Sequence, residues 1–260
     1  MVTKPRLTLP GALALIAVLS ILAYAQGRDV WRGQGNAEND AATDRDSGSA
    51  SIPASSRNAP GAFDYYALVL SWSPTHCSSP EGQDDAMQCA RRDGRRYAFV
   101  LHGLWPQYER GYPESCPMRG GAWVAQNVID GMLDIMPSPG LVKHEFRKHG
   151  TCSGLDATGY FGLARRLYDK ISIPRRLSNP FESQFMSPDE IVDALVAANP
   201  ALRPEMVAVG CGGPGSRLKD VHICFTKQGA LRECGSNEDQ DRMCRSRRVH
   251  IPPVRSTQRE

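Results

Sequence analysis

The hydrophobic positions of the chain follow two different periods. Residues 63–73, "FDYYALVLSWS", are aromatic and branched almost without interruption and predict a buried strand. Residues 96–106, "RYAFVLHGLWP", predict a second strand that ends at His102, where Gly103 lets the backbone turn and a ligand approach. Residues 123–136 change to helical spacing, with Val124, Val128, Met132 and Ile135 on one side, and Pro137 and Pro139 stop that helix. Another helix follows over residues 140–148, with Gly150 where a C-terminal cap belongs. Residues 158–171 predict an amphipathic helix. Ser187, Pro188, Asp189 and Glu190 form a capping box with proline at the first helical position, so a helix runs on to Ala198. Strand-like pieces return at residues 205–211, "EMVAVGC", and 220–226, "DVHICFT". Strands at the ends and helices between them predict an α+β fold, with a central, mainly antiparallel sheet flanked by helices.

Residues 1–25 read differently. Lys4 and Arg6 precede an apolar run from Gly11 to Ala25 broken only by Ser20, and Ala23-Tyr24-Ala25 places small residues where a signal peptidase reads. A retained anchor is the competing reading. The run is short for a span of about 20 residues, which favours cleavage and a secreted or periplasmic protein with no membrane contact afterwards. Residues 26–61 are rich in Gly, Ala, Ser, Asn and Asp and read as a flexible leader. Residues 62–254 read as one globular domain and 255–260 as a tail. No internal repeat is present.

Export changes the meaning of the eight cysteines, which all lie between Cys77 and Cys244. An even number in an oxidising compartment implies up to four disulfides, and spacing alone cannot pair them. No pair shows the C-x-x-C spacing of a zinc knuckle, so no metal is expected. Formal charge is +3, and removing the two cations of residues 1–25 leaves +1. A general nucleic-acid binder carries a larger basic excess, so any nucleic acid would be held locally.

Residues 144–152, "HEFRKHGTC", concentrate titratable groups. On a helix, His144 and Lys148 lie about 40° apart, and Glu145 and His149 lie about 40° apart on the next line. All four fall within an arc of about 140°, so one cleft can receive them. Solvated faces usually carry simpler charge patterns. The H-E-x-x-x-H spacing separates the histidines too far to share one zinc, and Lys148 between them repels a cation. Two imidazoles, a carboxylate and an ammonium suit phosphoryl chemistry, in which histidine serves as base and acid near neutral pH. "FVLHGLWPQ", residues 99–107, offers the second imidazole at His102, and Trp105 offers a ring that can stack on a base.

"HGLWPQ", followed some 40 residues later by "HEFRKHGTC", closely resembles the two active-site segments of the ribonuclease T2 family. "FDYYALVLSW" resembles that family's first core strand, and "VHICFTK" with its neighbouring cysteines its closing strands. The resemblance implies an endoribonuclease without metal or other cofactor. The ribose 2′-hydroxyl of single-stranded RNA would attack its own phosphorus and leave a 2′,3′-cyclic phosphate. His149 matches the general base, His102 the general acid and His144 a phosphate contact. Glu145 and Lys148 match the pair that stabilises the charged intermediate. DNA, lacking the nucleophile, would not be cleaved, and a monomer is expected.

Two positions depart from the family pattern. Phe146 stands where many members carry tryptophan, either as a substrate contact or facing the core. Gln107 follows Trp-Pro where an acid or amide often helps to read the base. Tyr108 and Tyr112 are further candidates for a base pocket. The resemblance also implies the disulfides Cys77–Cys89, Cys116–Cys152, Cys211–Cys244 and Cys224–Cys234. The competing functional class is a catalytically silent RNA-binding or toxin-like protein on the same fold. A metal-dependent phosphodiesterase is a further alternative.

Overall fold

The structure is a computed structural model that describes residues 58–255. The expected signal segment and most of the expected leader lie outside the described residues. Residues 58–61, read above as leader, are bound to the domain: the Gly61 amide donates to the Cys152 carbonyl at 2.9 Å, and the Glu114 amide donates to Asn58 Oδ1 at 3.2 Å.

Six strands form one sheet: β1 Tyr65–Trp72, β2 Phe99–Gln107, β3 Gln184–Met186, β4 Val207–Gly212, β5 Arg217–Thr226 and β6 Val249–Ile251. Their order is β2-β1-β5-β6-β3, with β4 also pairing β5. Every pairing is antiparallel except the brief β5–β6 contact. Nine α-helices lie among the described residues: α1 Ser73–Cys77, α2 Pro80–Gln83, α3 Ala86–Cys89, α4 Gln126–Asp130, α5 Pro139–Lys148, α6 Ala157–Tyr168, α7 Arg175–Ser178, α8 Pro188–Ala198 and α9 Gln240–Met243. The α+β expectation agrees with this arrangement, and so does the capping box of α8, in which Ser187 and Glu190 satisfy each other's amides.

The two faces of β1 differ. Tyr66, Leu68, Leu70 and Trp72 enter the main hydrophobic core with Leu104 of β2 and Ile223 of β5. Tyr65, Ala67 and Val69 point the other way, and cross-strand neighbours share a face, so Gln107, Trp105, Gly103, His222 and Cys224 join them. This second face carries the polar groups, and small residues in β1 leave room for them.

β2 does not end at His102. It continues to Gln107, because the pairing with β1 slips between Val69 and Leu70, which face Gly103 and Leu101. His102 is the extra residue of a β-bulge. In a regular strand, residues three apart face opposite sides; the bulge brings His102 and Trp105 together, and bulges of this kind re-aim side chains. Pro106 is tolerated because β2 is an edge strand.

The helix expected over residues 123–136 is only α4. Beyond the Gly131 cap the chain continues in three-residue turns, and the Leu101 amide donates to the Ile135 carbonyl at 2.9 Å. The apolar spacing still works, since Ile129, Met132 and Ile135 are buried, while Trp123 is 74% exposed. Gly150 is not a left-handed cap either. His149 caps α5, the chain runs on as a 3-10 turn over Gly150–Ser153, and the left-handed residue is Gly154. Gly150 is needed for space, because a Cβ there would lie 2.4 Å from the Phe146 ring.

Four disulfides join Cys77–Cys89, Cys116–Cys152, Cys211–Cys244 and Cys224–Cys234. The second ties the 114–116 loop to the 3-10 turn that follows α5, and the Ser115 amide donates to the Lys148 carbonyl at the end of that helix at 2.7 Å.

Two glycines separate packing from propensity. Gly150→Ala is expected to destabilise the fold by about 1–3 kcal/mol through overpacking. Gly162→Ala, inside α6 with only the flexible Arg166 side chain near, should stabilise by about 0.5–1 kcal/mol. Denaturant midpoints at constant slope measure both.

Candidate active site

The site forms where α5 lies against the bulged edge strand. Along α5 the titratable residues separate into two lines. His144 and Lys148 remain on the solvent side, whereas Glu145 and His149 are buried beside Phe146. The single cleft expected for all four is therefore divided.

Glu145 is 1% exposed and fully engaged. Trp105 Nε1 donates to Glu145 Oε2 at 2.7 Å, and Glu145 Oε1 lies 3.4 Å from His102 Nε2. Gly103 makes this approach possible, since a Cβ there would stand 2.1 Å from Glu145 Oε2. The glycine admits a carboxylate of the protein itself. Burial would raise the Glu145 carboxyl, but the hydrogen bond and charge of His102, the charge of His149 and the Trp105 indole together hold it below the usual carboxylate range.

His149 has the opposite environment. Its ring stacks on Trp105 with centroids 4.8 Å apart, and its Nδ1 is buried without a hydrogen-bond partner. Burial lowers its pKa to about 4; Glu145 pulls the other way, and the positive charges of Lys148, His102 and His144 reinforce the fall. One turn from His149, Glu145 directs its carboxylate to His102; its charge still favours a protonated His149, but burial outweighs it. Lys148 Nζ stands 3.9 Å from Glu114 Oε2 at the surface.

A cleft of about 980 Å³ opens beside the bulge, walled by His102, His144, Ser138 and Leu141 and extending to α1 and β5. Glu145 and His149 are not part of its wall.

The expected substrate-binding residues fall into different surroundings. One face of Trp105 is occupied by His149, and the His102 and His222 rings meet it at steep angles. Its ring is thus built into the site's framework rather than left open for a base. Gln107 is buried, and its Oε1 accepts from Asn237 Nδ2 at 2.9 Å, which makes it part of an internal amide network. Phe146 is a core residue against Tyr160 and Phe161, because it shares the buried line of α5 with Val142. Tyr108 packs partly against the core, and Tyr112 is 52% exposed on the following loop.

Sequence reasoning missed a second polar group on the same face. His222 lies beneath Trp105, with Nδ1 3.4 Å from Glu238 Oε1 and Nε2 3.6 Å from Asp220 Oδ1. Tyr65 donates a short hydrogen bond to Glu238 Oε2, and burial followed by that carboxylate pushes the phenol well up. The signal was the alternation Asp220–His222 beside the apolar run of Val221, Ile223 and Phe225 in β5. Among the described residues, Cys224, Cys234 and Glu238 lie together as a metal-ligand set would, but the two sulfurs are bonded to each other.

The buried histidine carries a measurable cost in acid. His149 titrates at about 4 when folded and near 6.5 when unfolded. Between these limits the unfolded chain binds the extra proton, so stability falls as pH drops from about 6.5 to about 4, by about 3 kcal/mol. Glu145 acts in the same direction at lower pH, since its contribution is lost as pH falls through its folded value. Denaturation from pH 7 to 4 should show this slope, and His149→Gln should flatten it.

The sequence pattern of the Ribonuclease T2 family matches residues 63–234. A ribonuclease of Aeromonas hydrophila is 38% identical over 195 residues, which cover 70% of this chain and 80% of that protein. Trichomaglin, described as an S-like ribonuclease, superposes with a TM-score of 0.59 at 22% identity, covering 74% of this chain and 98% of its own. An RNase-related protein from Calystegia sepium gives 0.55 at 25% identity, over 74% and 98%. Pattern, relative and fold agree, and the chain belongs to the ribonuclease T2 family.

Proposed function

We propose that this protein is an exported, metal-independent endoribonuclease that cleaves single-stranded RNA through a 2′,3′-cyclic phosphate. The observation that carries the reading is the contrast between two imidazoles joined through one carboxylate and one indole. His149 is buried and neutral above pH of about 4, as a base requires. His102 walls the cleft with its Nε2 3.4 Å from Glu145 Oε1, so the carboxylate holds that ring toward the substrate's side, where an acid is needed.

In the proposed step the ribose 2′-hydroxyl gives its proton to His149, and its oxygen bonds to phosphorus. The bond from phosphorus to the 5′-oxygen breaks, and His102 protonates the departing oxygen. His144, on the cleft wall, and Lys148, one turn further along α5, meet the charge on the phosphoryl oxygens. Glu145 keeps the His102 imidazolium in place. Export rests on residues 1–25 and on the four disulfides. The silent RNA-binding alternative has no use for one neutral and one carboxylate-paired imidazole.

On a dinucleotide, with chelator present, His149→Ala and His102→Ala should each lower kcat by about 10²–10⁴-fold. His144→Ala should act mainly on KM. A substrate with a 2′-deoxyribose at the cleaved position should not react. Near-normal kcat in His102→Ala, or loss of activity on chelation, would reject the mechanism.

The pH profile tests the same assignment. The base must be neutral, so the acid limb should follow His149 at about 4. The alkaline limb should follow loss of the His102 proton, and the profile of residual activity in His102→Ala should lack that limb.

A further inference from the structure

One arm of the cleft has no part in the step described above. Beyond His102 and His144, the wall continues over α1 and the start of β5 through Thr75, Ser78, Arg217 and Lys219. Arg217 Nη1 donates to Ser78 Oγ at 2.8 Å, while Arg217 Nε and Thr75 Oγ1 are buried without partners. The neighbouring acid, Asp220, is engaged by Lys219 at 3.5 Å and by His222 at 3.6 Å. Among the described residues, no carboxylate forms an ion pair with Arg217. A guanidinium that lines a cleft and has no carboxylate partner is suited to a phosphate, which it can hold through two parallel hydrogen bonds.

The position of the cleft decides which phosphate. In-line displacement puts the attacking and leaving oxygens on opposite sides of phosphorus. His102, the proposed acid, is on the cleft wall, and His149, the proposed base, is not. The cleft is therefore on the leaving side and faces the RNA 3′ to the cut. Its volume of about 980 Å³ is at the upper end of the range of about 300–1,000 Å³ that encloses a whole small ligand. Acids also line it: Glu81, Asp84 and Asp85 stand around α2 and the start of α3, where Asp85 faces His76 at 3.6 Å. They repel an anionic backbone from that wall and leave the Arg217 side as its path.

We propose that Arg217, with the hydroxyl of Ser78 beside it, binds the phosphodiester that follows the leaving nucleoside, so that RNA extended on its 3′ side is preferred over a dinucleotide. This rests on the ribonuclease reading above and adds a binding site to it.

The test uses chimeric substrates with a single ribose, so that the cut is fixed. One is a dinucleoside monophosphate; the other adds one nucleotide on the 3′ side. A charge-assisted contact predicts that the extension raises kcat/KM about tenfold or more. Arg217→Gln should bring the ratio of the two kcat/KM values to about one, and Arg217→Lys, which keeps charge but loses the planar fork, should leave an intermediate ratio. An extension on the 5′ side should give a ratio that Arg217→Gln does not change. A wild-type ratio near one, or a ratio that survives in Arg217→Gln, would overturn the subsite while leaving cleavage intact. Failure of the wild type to cut either substrate would overturn the ribonuclease reading itself.

Discussion

A carboxylate removed from water must find donors for its oxygens or lose its charge. Glu145 meets this demand with the Trp105 indole on one oxygen and His102 on the other. Most of the site's local structure follows from that one group. Residue 103 has to lack a side chain so that the carboxylate can come close. β2 has to carry an extra residue so that His102 and Trp105 face it together. Trp105, held by its hydrogen bond, then offers a flat surface on which the His149 ring rests.

The sheet makes room for this arrangement by dividing its chemistry between two faces. On one face, Tyr66, Leu68, Leu70 and Trp72 join the hydrophobic core under α6 and α8. On the other, Ala67 and Val69 are small enough for a continuous file of polar groups to lie across the strands. The file runs from His149 through Trp105 and His222 to Glu238 and Tyr65. Buried polar groups of this density are tolerated only when each finds a partner. The exception is Nδ1 of His149, on the ring of the proposed base.

Two constraints hold α5 in register against β2. The Cys116–Cys152 bond and the Ser115 amide fasten its end to the 114–116 loop, while Phe146, pressed against Gly150 and Tyr160, fixes its rotation. That rotation places Glu145 and His149 inside and leaves His144 and Lys148 outside, which is how four residues within six positions come to have two different environments.

Much of this was present in the chain before folding. Strand and helix periods, the capping box of α8 and the two histidine-bearing segments depend on neighbours within a few residues, so local sequence determined them. The spacing of titratable groups marked α5 as the chemical helix for the same reason. What the tertiary structure alone decided depends on residues far apart in the chain. The bulge at His102 exists only because β1 pairs with β2, and the role of Gly103 appears only when Glu145, 42 positions later, arrives beside it. Gln107 looks like a substrate contact in the sequence and Phe146 could be either a contact or a core residue; both turn inward in the fold, where Asn237 and Tyr160 meet them. Which imidazole is neutral was likewise beyond local sequence, since a histidine's charge is set by how completely the rest of the protein removes it from water.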